Sequence, residues 1–179
     1  MSLCEHEKIV KLFDLLENGK TRFRWHVRDG PFEHIMLINE FVRRRNVKEL
    51  NLVECLKRQP MDKVRLVCDA INELELTGCV LSGNSFSPDA LKIVLESCPR
   101  MEKLNLYFSA RGDECGEMVI EYVEKNNNLK RLDVGNNDWS ENVTERFLEV
   151  VSKHKRMNGI GLFWDISCQQ DQWAFWLKC

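Results

Sequence analysis

No apolar run in this sequence approaches the roughly 20 residues needed to span a bilayer. The opening segment MSLCEHEKIV carries acidic residues where a secretory signal would place a basic stretch followed by an apolar one. The expectation is an intracellular, cytoplasmic chain without membrane contact. An excess of either charge is also missing: 26 basic and 28 acidic residues leave a formal net charge of -2, which suggests neither charge-driven disorder nor a general affinity for polyanions. Metal-ligand spacing is absent as well. The eight cysteines stand at 4, 55, 68, 79, 98, 115, 168 and 179 with no C-x-x-C pair, and His6, His26, His34 and His154 are scattered, so reduced thiols are expected and neither a metal nor a cofactor.

Catalytic signatures fail at their defining positions. Gly83-Asn84-Ser85-Phe86-Ser87 lacks the last glycine of a nucleophile elbow. His6-Glu7 is followed by Val10 where a zinc-binding helix needs its second histidine, and Gly159-Ile160-Gly161 has neither a third glycine nor a following helix start. Asn142-Val143-Thr144 matches a glycosylation acceptor, silent in an intracellular setting. One enzyme reading stays open: Cys115, in the loop-like stretch ARGDECG, is the thiol least explained by structure, although no His or Asp partner accompanies it by motif.

What the sequence does contain is a repeat. Five segments share the order apolar-x-x-apolar-x-apolar: VKELNLVEC from Val47, INELELTGC from Ile71, MEKLNLYFS from Met101, LKRLDVGNN from Leu129 and MNGIGLFWD from Met157. Their anchors Leu50, Leu74, Leu104, Leu132 and Ile160 follow at 24, 30, 28 and 28 residues, and a degenerate copy precedes them in Phe23, Trp25 and Val27. An alternating apolar pair places both side chains on one face of a short strand and the residue between them on the other. Cys55, Cys79 and Asn137 stand where the chain turns away.

Helical patterns separate these segments. Residues 88–98 carry Leu91, Val94, Leu95 and Cys98 on one stripe behind the capping pair Ser87-Pro88. A second pattern covers 117–125, and a third covers 141–155 behind Ser140, with Val143, Phe147, Leu148 and Val151 inward. Residues 32–44 and 61–69 have the same form. Strand and helix in alternation imply an α/β solenoid, a parallel inner sheet backed by outer helices.

Five such units resemble the leucine-rich repeats of the ribonuclease-inhibitor and cysteine-containing subclasses, and the stretch DALKIVLESCPRMEKLNL over 89–106 is similar to the repeats of F-box proteins. The resemblance covers roughly 47–165, and implies a horseshoe segment in which Asn or Cys at the turn bonds neighbouring turns. The implied organisation is a capping helix over 1–19, built on the amphipathic EHEKIVKLFDLLE, repeats over 20–165, and a Trp-rich cap over 166–179. The first helix could instead dock a partner, and the aromatic-rich end could serve as an interface.

The implied function is non-enzymatic: a protein-interaction module binding a protein partner on its concave face, as a substrate-recognition or adaptor unit of the F-box or immune-receptor kind. An actin-capping module of the tropomodulin type is an architectural alternative. The residues between the anchors define the face: Arg22, Arg24 and His26; Glu49, Asn51 and Val53; Glu73, Glu75 and Thr77; Lys103, Asn105 and Tyr107; Arg131, Asp133 and Gly135; then Gly159, Gly161 and Phe163. A basic end, an acidic middle at Glu49, Glu73 and Glu75, and an apolar end suit a structured protein more than a nucleic acid. Arg43-Arg44-Arg45 is the dense basic run, at a helix end and without the aromatics that stack bases.

Overall fold

Residues 22–26 and 47–162 are described by a computed structural model. The chain there is α/β. Six strands, β1 (Arg22–His26), β2 (Glu49–Val53), β3 (Gly78–Val80), β4 (Lys103–Asn105), β5 (Arg131–Asp133) and β6 (Gly159–Gly161), form one sheet in chain order. Every pairing is parallel. From β2 onward each connection holds one helix: α1 (Met61–Glu73), α2 (Pro88–Glu96), α3 (Asp113–Lys125) and α4 (Glu141–Lys153). Parallel neighbours require such crossovers, since the chain must return to the starting edge before each new strand. The helices pack on one another in the same order as the strands. The N-terminal helix expected over 5–17, the helix expected over 32–44, Phe163 and the Trp-rich segment lie outside the described residues.

The strand alternation behaves as the pattern requires. Leu50, Leu52, Leu104, Leu106, Leu132 and Val134 are buried, and they join Leu91, Val94, Val119, Ile120, Phe147 and Val151 from the helices in one continuous core. Burying one such aliphatic or aromatic side chain is worth about 1.5–3 kcal/mol. Ser87 caps α2 by accepting the Ala90 N–H, and Ser140 caps α4 by accepting that of Val143. Leu148, expected inward, is 42% exposed. It lies one position past Phe147, off the stripe formed by Val143, Phe147 and Val151.

The second repeat is in a different frame from the one expected. Ile71 belongs to α1, not to a strand: Val64, Val67, Cys68 and Ile71 are all buried, the i, i+3, i+4, i+7 stripe of an amphipathic helix. That helix extends past the expected 69 to Glu73, and the strand follows at Gly78–Val80. Cys79, not Leu74, aligns with Leu50 and Leu104. The matching segment is therefore LTGCVLSGN from Leu76, and the anchor spacings become 29, 25, 28 and 28.

The shifted frame also moves the turn position. Cys79 is a core strand residue, and Asn84 occupies the slot equivalent to Cys55, Ser109 and Asn137. Asn84 Oδ1 accepts the Leu56 N–H at 2.7 Å, and its Nδ2 donates to the Leu52 and Leu81 carbonyls at 3.1 and 2.6 Å. Asn137 repeats the pattern one unit further on, accepting from the Ser109 and Ala110 N–H groups and donating to the Leu106 and Val134 carbonyls. Between them the Ser109 hydroxyl donates to the Leu81 carbonyl and accepts the Asn84 N–H. One buried side chain thus satisfies backbone groups of two successive turns that would otherwise be costly to bury. The residue before each slot has positive φ, at Glu54, Gly83, Phe108 and Asn136, which fixes the same chain reversal in every unit.

Candidate functional site: the sheet face

The face opposite the core is read directly from the register. Glu49, Gly78, Lys103, Arg131 and Gly159 form one row across β2 to β6, with Arg22 of β1 opposite Glu49. Asn51, Val80, Asn105, Asp133 and Gly161 form the next, with Arg24 opposite Asn51. His26 pairs with Val53. For Arg22, Arg24 and His26 only the backbone is described. The structure therefore brings Glu49, Asn51, Lys103, Asn105, Arg131 and Asp133 together as expected, with Tyr107 two positions beyond Asn105.

Glu73 and Glu75 are not part of this face. Glu73 ends α1, and Glu75 lies in the connection to β3, where its side chain is 92% exposed and pairs with Lys48 at 3.2 Å. Thr77 precedes β3 and donates its hydroxyl to the Lys48 carbonyl. The acidic middle expected from sequence therefore does not exist. Gly78 and Val80 replace those three residues on the face, and the signal that would have found them was Asn84, three positions after Leu81.

Gly78 opens a notch that its neighbours fill. Glu49 and Lys103 reach across it to form an ion pair at 2.7 Å between strands that are not adjacent. A Cβ at Gly78 would stand 3.2 Å from Glu49 Cγ. In the next row Asn105 is buried and donates from Nδ2 to Asp133 Oδ2 at 3.1 Å, while its Oδ1 accepts the Tyr107 N–H. Val80 is buried too, and the buried Oδ1 of Asn51 has no hydrogen-bond partner. Several expected contact residues are thus engaged with one another. Tyr107 and Arg131 remain outside these bonds, half-buried like Asp133 beside them.

Asp133 is electrostatically unusual. Its carboxyl accepts the Asn105 amide and, on Oδ1, the Gly135 N–H at 3.0 Å. Burial outweighs both hydrogen bonds and pushes its pKa up from 3.8 to about 6. Loss of hydration disfavours the charged form.

The five thiols among the described residues offer no comparable chemistry. Cys55, Cys68, Cys79, Cys98 and Cys115 are buried and form no disulfides with one another. Burial pushes the Cys68 thiol up to about 12. The Cys98 thiol is raised by its hydrogen bond with Cys79 and by burial. Cys115 is not in a loop: α3 begins at Asp113, four residues before the expected 117, and buries Cys115 in its first turn. Burial there also raises its pKa, which removes the accessible thiolate that a thiol enzyme needs. Among the described residues no group of three His, Cys, Asp or Glu side chains is arranged to hold a metal ion, and no helix is long and apolar enough to cross a membrane.

A hollow of about 740 Å³ lies on the helix side, lined by Glu124, Arg146, Glu149, Lys153, His154 and Arg156 among others. Both ring nitrogens of its histidine are engaged. Nδ1 accepts the Met157 N–H at 3.1 Å, which leaves Nε2 to donate to the Asn126 carbonyl at 3.0 Å. That imidazole ties the end of α4 to the preceding turn. No protein-family model and no curated protein matches this chain.

Proposed function

We propose that the chain is a leucine-rich-repeat solenoid acting as a non-enzymatic protein-interaction module, with a protein partner on the sheet face at Tyr107 and Arg131. The observation that carries the reading is the contrast within that face. Glu49 with Lys103, and Asn105 with Asp133, form an internally bonded floor, while Tyr107 and Arg131 are left with side-chain groups that the floor does not engage. A rigid sheet presenting an aromatic and an arginine is the composition of an interface hot spot. The helix side offers less: among the described residues its exposed large apolar side chains, Leu66 and Leu148, stand singly on separate helices, as on ordinary protein surfaces.

The test is site-specific photocrosslinking in cells of origin, with a photoreactive residue at position 107 on the sheet face or at 145 on α4. The reading expects discrete protein adducts from position 107 and none from 145. Adducts from 145 alone would overturn it.

A further inference from the structure

Resting on the reading that the chain binds a protein partner, we infer that a hollow among the strand-to-helix connections is a seat for an acidic side chain, aspartate or glutamate, of that partner. The hollow, of about 540 Å³, lies between the β2–α1 and β3–α2 connections, with Phe108 and Arg111 of the β4–α3 connection also in its wall. Its charged walls are of one sign. Lys57, Arg58 and Arg111 line it, and no carboxylate does. Arg111 lies over the Phe108 ring, 5.0 Å from its centre, and donates to Asp138 Oδ2 at 2.9 Å. Lys57 and Arg58 have no ion pair and no side-chain hydrogen bond among the described residues.

The repeat itself carries the complement. Ser85, next after the Asn84 slot, is the equivalent of Asp138, next after Asn137: both have positive φ, 48° and 55°, and both stand two residues before a serine cap, Ser87 and Ser140. Arg111, two residues after the Ser109 slot, takes the Asp138 carboxylate of the following unit as its partner. Lys57 stands two residues after the Cys55 slot, and the following unit offers it Ser85. The clasp made at Arg111 is thus left without its carboxylate at Lys57. The β2–α1 connection adds a second unanswered cation, Arg58, because its N-cap Pro60 stands five residues after the slot where Ser87, Gly112 and Ser140 stand three after theirs. A guanidinium and an ammonium in one hollow suit a carboxylate, with charge-assisted hydrogen bonds to both. A nucleic acid fits less well: Asp62 and Asp89 are exposed in the first turns of α1 and α2, the helices that the two connections enter, and they repel a run of phosphates more than a single side chain. Phe108 directly follows Tyr107, so the hollow adjoins the sheet-face site.

The test is a random-peptide display selection on the full chain at pH 7.5, with bound peptides located by a photoreactive residue at position 59, in the hollow, or at 107, on the sheet face. Peptides caught at 59 are expected to share one Asp or Glu whose replacement by alanine weakens binding at least about tenfold. Arg58→Glu should release them, and changing the peptide's acid to lysine should restore binding to that variant. Ser85→Asp, which can keep the positive φ that Asp138 has, should weaken the same peptides comparably by filling the seat from within, whereas Ser85→Asn should not. Peptides caught at 59 that need no acidic residue, or that bind Ser85→Asp as well as the wild type, would overturn this inference. So would a selection that yields peptides only at 107, or none. The sheet-face reading is decided separately, by its own crosslinks from 107 and 145.

Discussion

Replacing Asn137 by alanine tests the physical basis of the fold most directly. Its amide makes four hydrogen bonds at 2.8 to 3.0 Å, accepting from the Ser109 and Ala110 N–H groups and donating to the Leu106 and Val134 carbonyls. Alanine leaves the Ala110 N–H and the Val134 carbonyl unsatisfied at a site where Asn137 is 3% exposed, while the Ser109 N–H and the Leu106 carbonyl keep their own bond at 3.0 Å. An unsatisfied buried polar group costs about 1–3 kcal/mol. Partial relaxation and water entry reduce the sum over the two groups, so the expected loss is about 3 kcal/mol, a large share of the roughly 5–15 kcal/mol that stabilises a domain. Urea unfolding followed by circular dichroism gives the difference, and hydrogen exchange should show the Ala110 amide losing protection first, ahead of Ser109, which keeps the Leu106 carbonyl. At the equivalent slot Cys55 supplies a weak sulfur donor to the Val53 carbonyl at 3.4 Å, and Cys55→Ala should cost only about 1 kcal/mol. A loss below about 1 kcal/mol for Asn137→Ala, or equal losses at the two slots, would refute the reasoning.

Three further outcomes follow from the same geometry. Asp133 holds its proton more tightly in the folded chain, at about 6 against 3.8. The penalty for its charge is therefore absent below pH 4, grows between pH 4 and 6 and is complete above. Asp133→Asn should then be more stable than wild type by about 2–3 kcal/mol at pH 7.5 and nearly equal at pH 3.5, measured by chemical denaturation across pH; equal differences at both pH values would contradict the assignment. Cys55, Cys68, Cys79, Cys98 and Cys115 are buried and should stay unmodified by a maleimide in the native chain at pH 7.5 and react fully in urea, as mass spectrometry of the digested protein can read. Gly116→Ala would place a Cβ 2.6 Å from Val143 Cγ1 and 3.2 Å from the Trp139 ring, and the overpacking should cost about 1–3 kcal/mol in a melting experiment.

The strands and helices were legible where one pattern stood alone. Around Leu104, Leu132 and Ile160 the alternation of period two is flanked by clear helix signals, and β4, β5 and β6 fall where expected. Between 71 and 84 two frames overlap, because Ile71-x-x-Leu74-x-Leu76 and Leu76-x-x-Cys79-x-Leu81 have the same apolar order. Ile71 completes a helical stripe begun at Val64, and cysteine serves as an apolar anchor as readily as leucine. A frame chosen on leucines alone therefore selected the wrong one. That error carried Glu73 and Glu75 onto the face and Cys79 into the slot. Cys115 was misplaced for a different reason. Gly112 with φ 80 provides the N-cap of α3 without any side-chain hydrogen bond, so the usual Ser, Thr, Asp or Asn start signal is missing. The mutual bonding of the face residues was not legible at all. It depends on which side chains meet across strands, as Glu49 and Lys103 do over a glycine, and sequence spacing does not report that.

The interval of 28 residues from Lys103 to Arg131 and again to Gly159 has a genetic consequence. Bonds between successive turns recur at nearly that separation, 27 to 29 residues, from Asn84, Asn137, Trp139 and Ser140. Excising 105–132 would join Leu104 to Asp133 and regenerate the segment MEKLDVGNN, with its anchors and asparagine slot in phase. In-frame loss or duplication of one such cassette changes the length of the array while each surviving turn keeps a neighbour of its own kind. Length variation in the gene is therefore expected to come in whole units, whereas insertions of a few codons inside a strand or slot would be rejected.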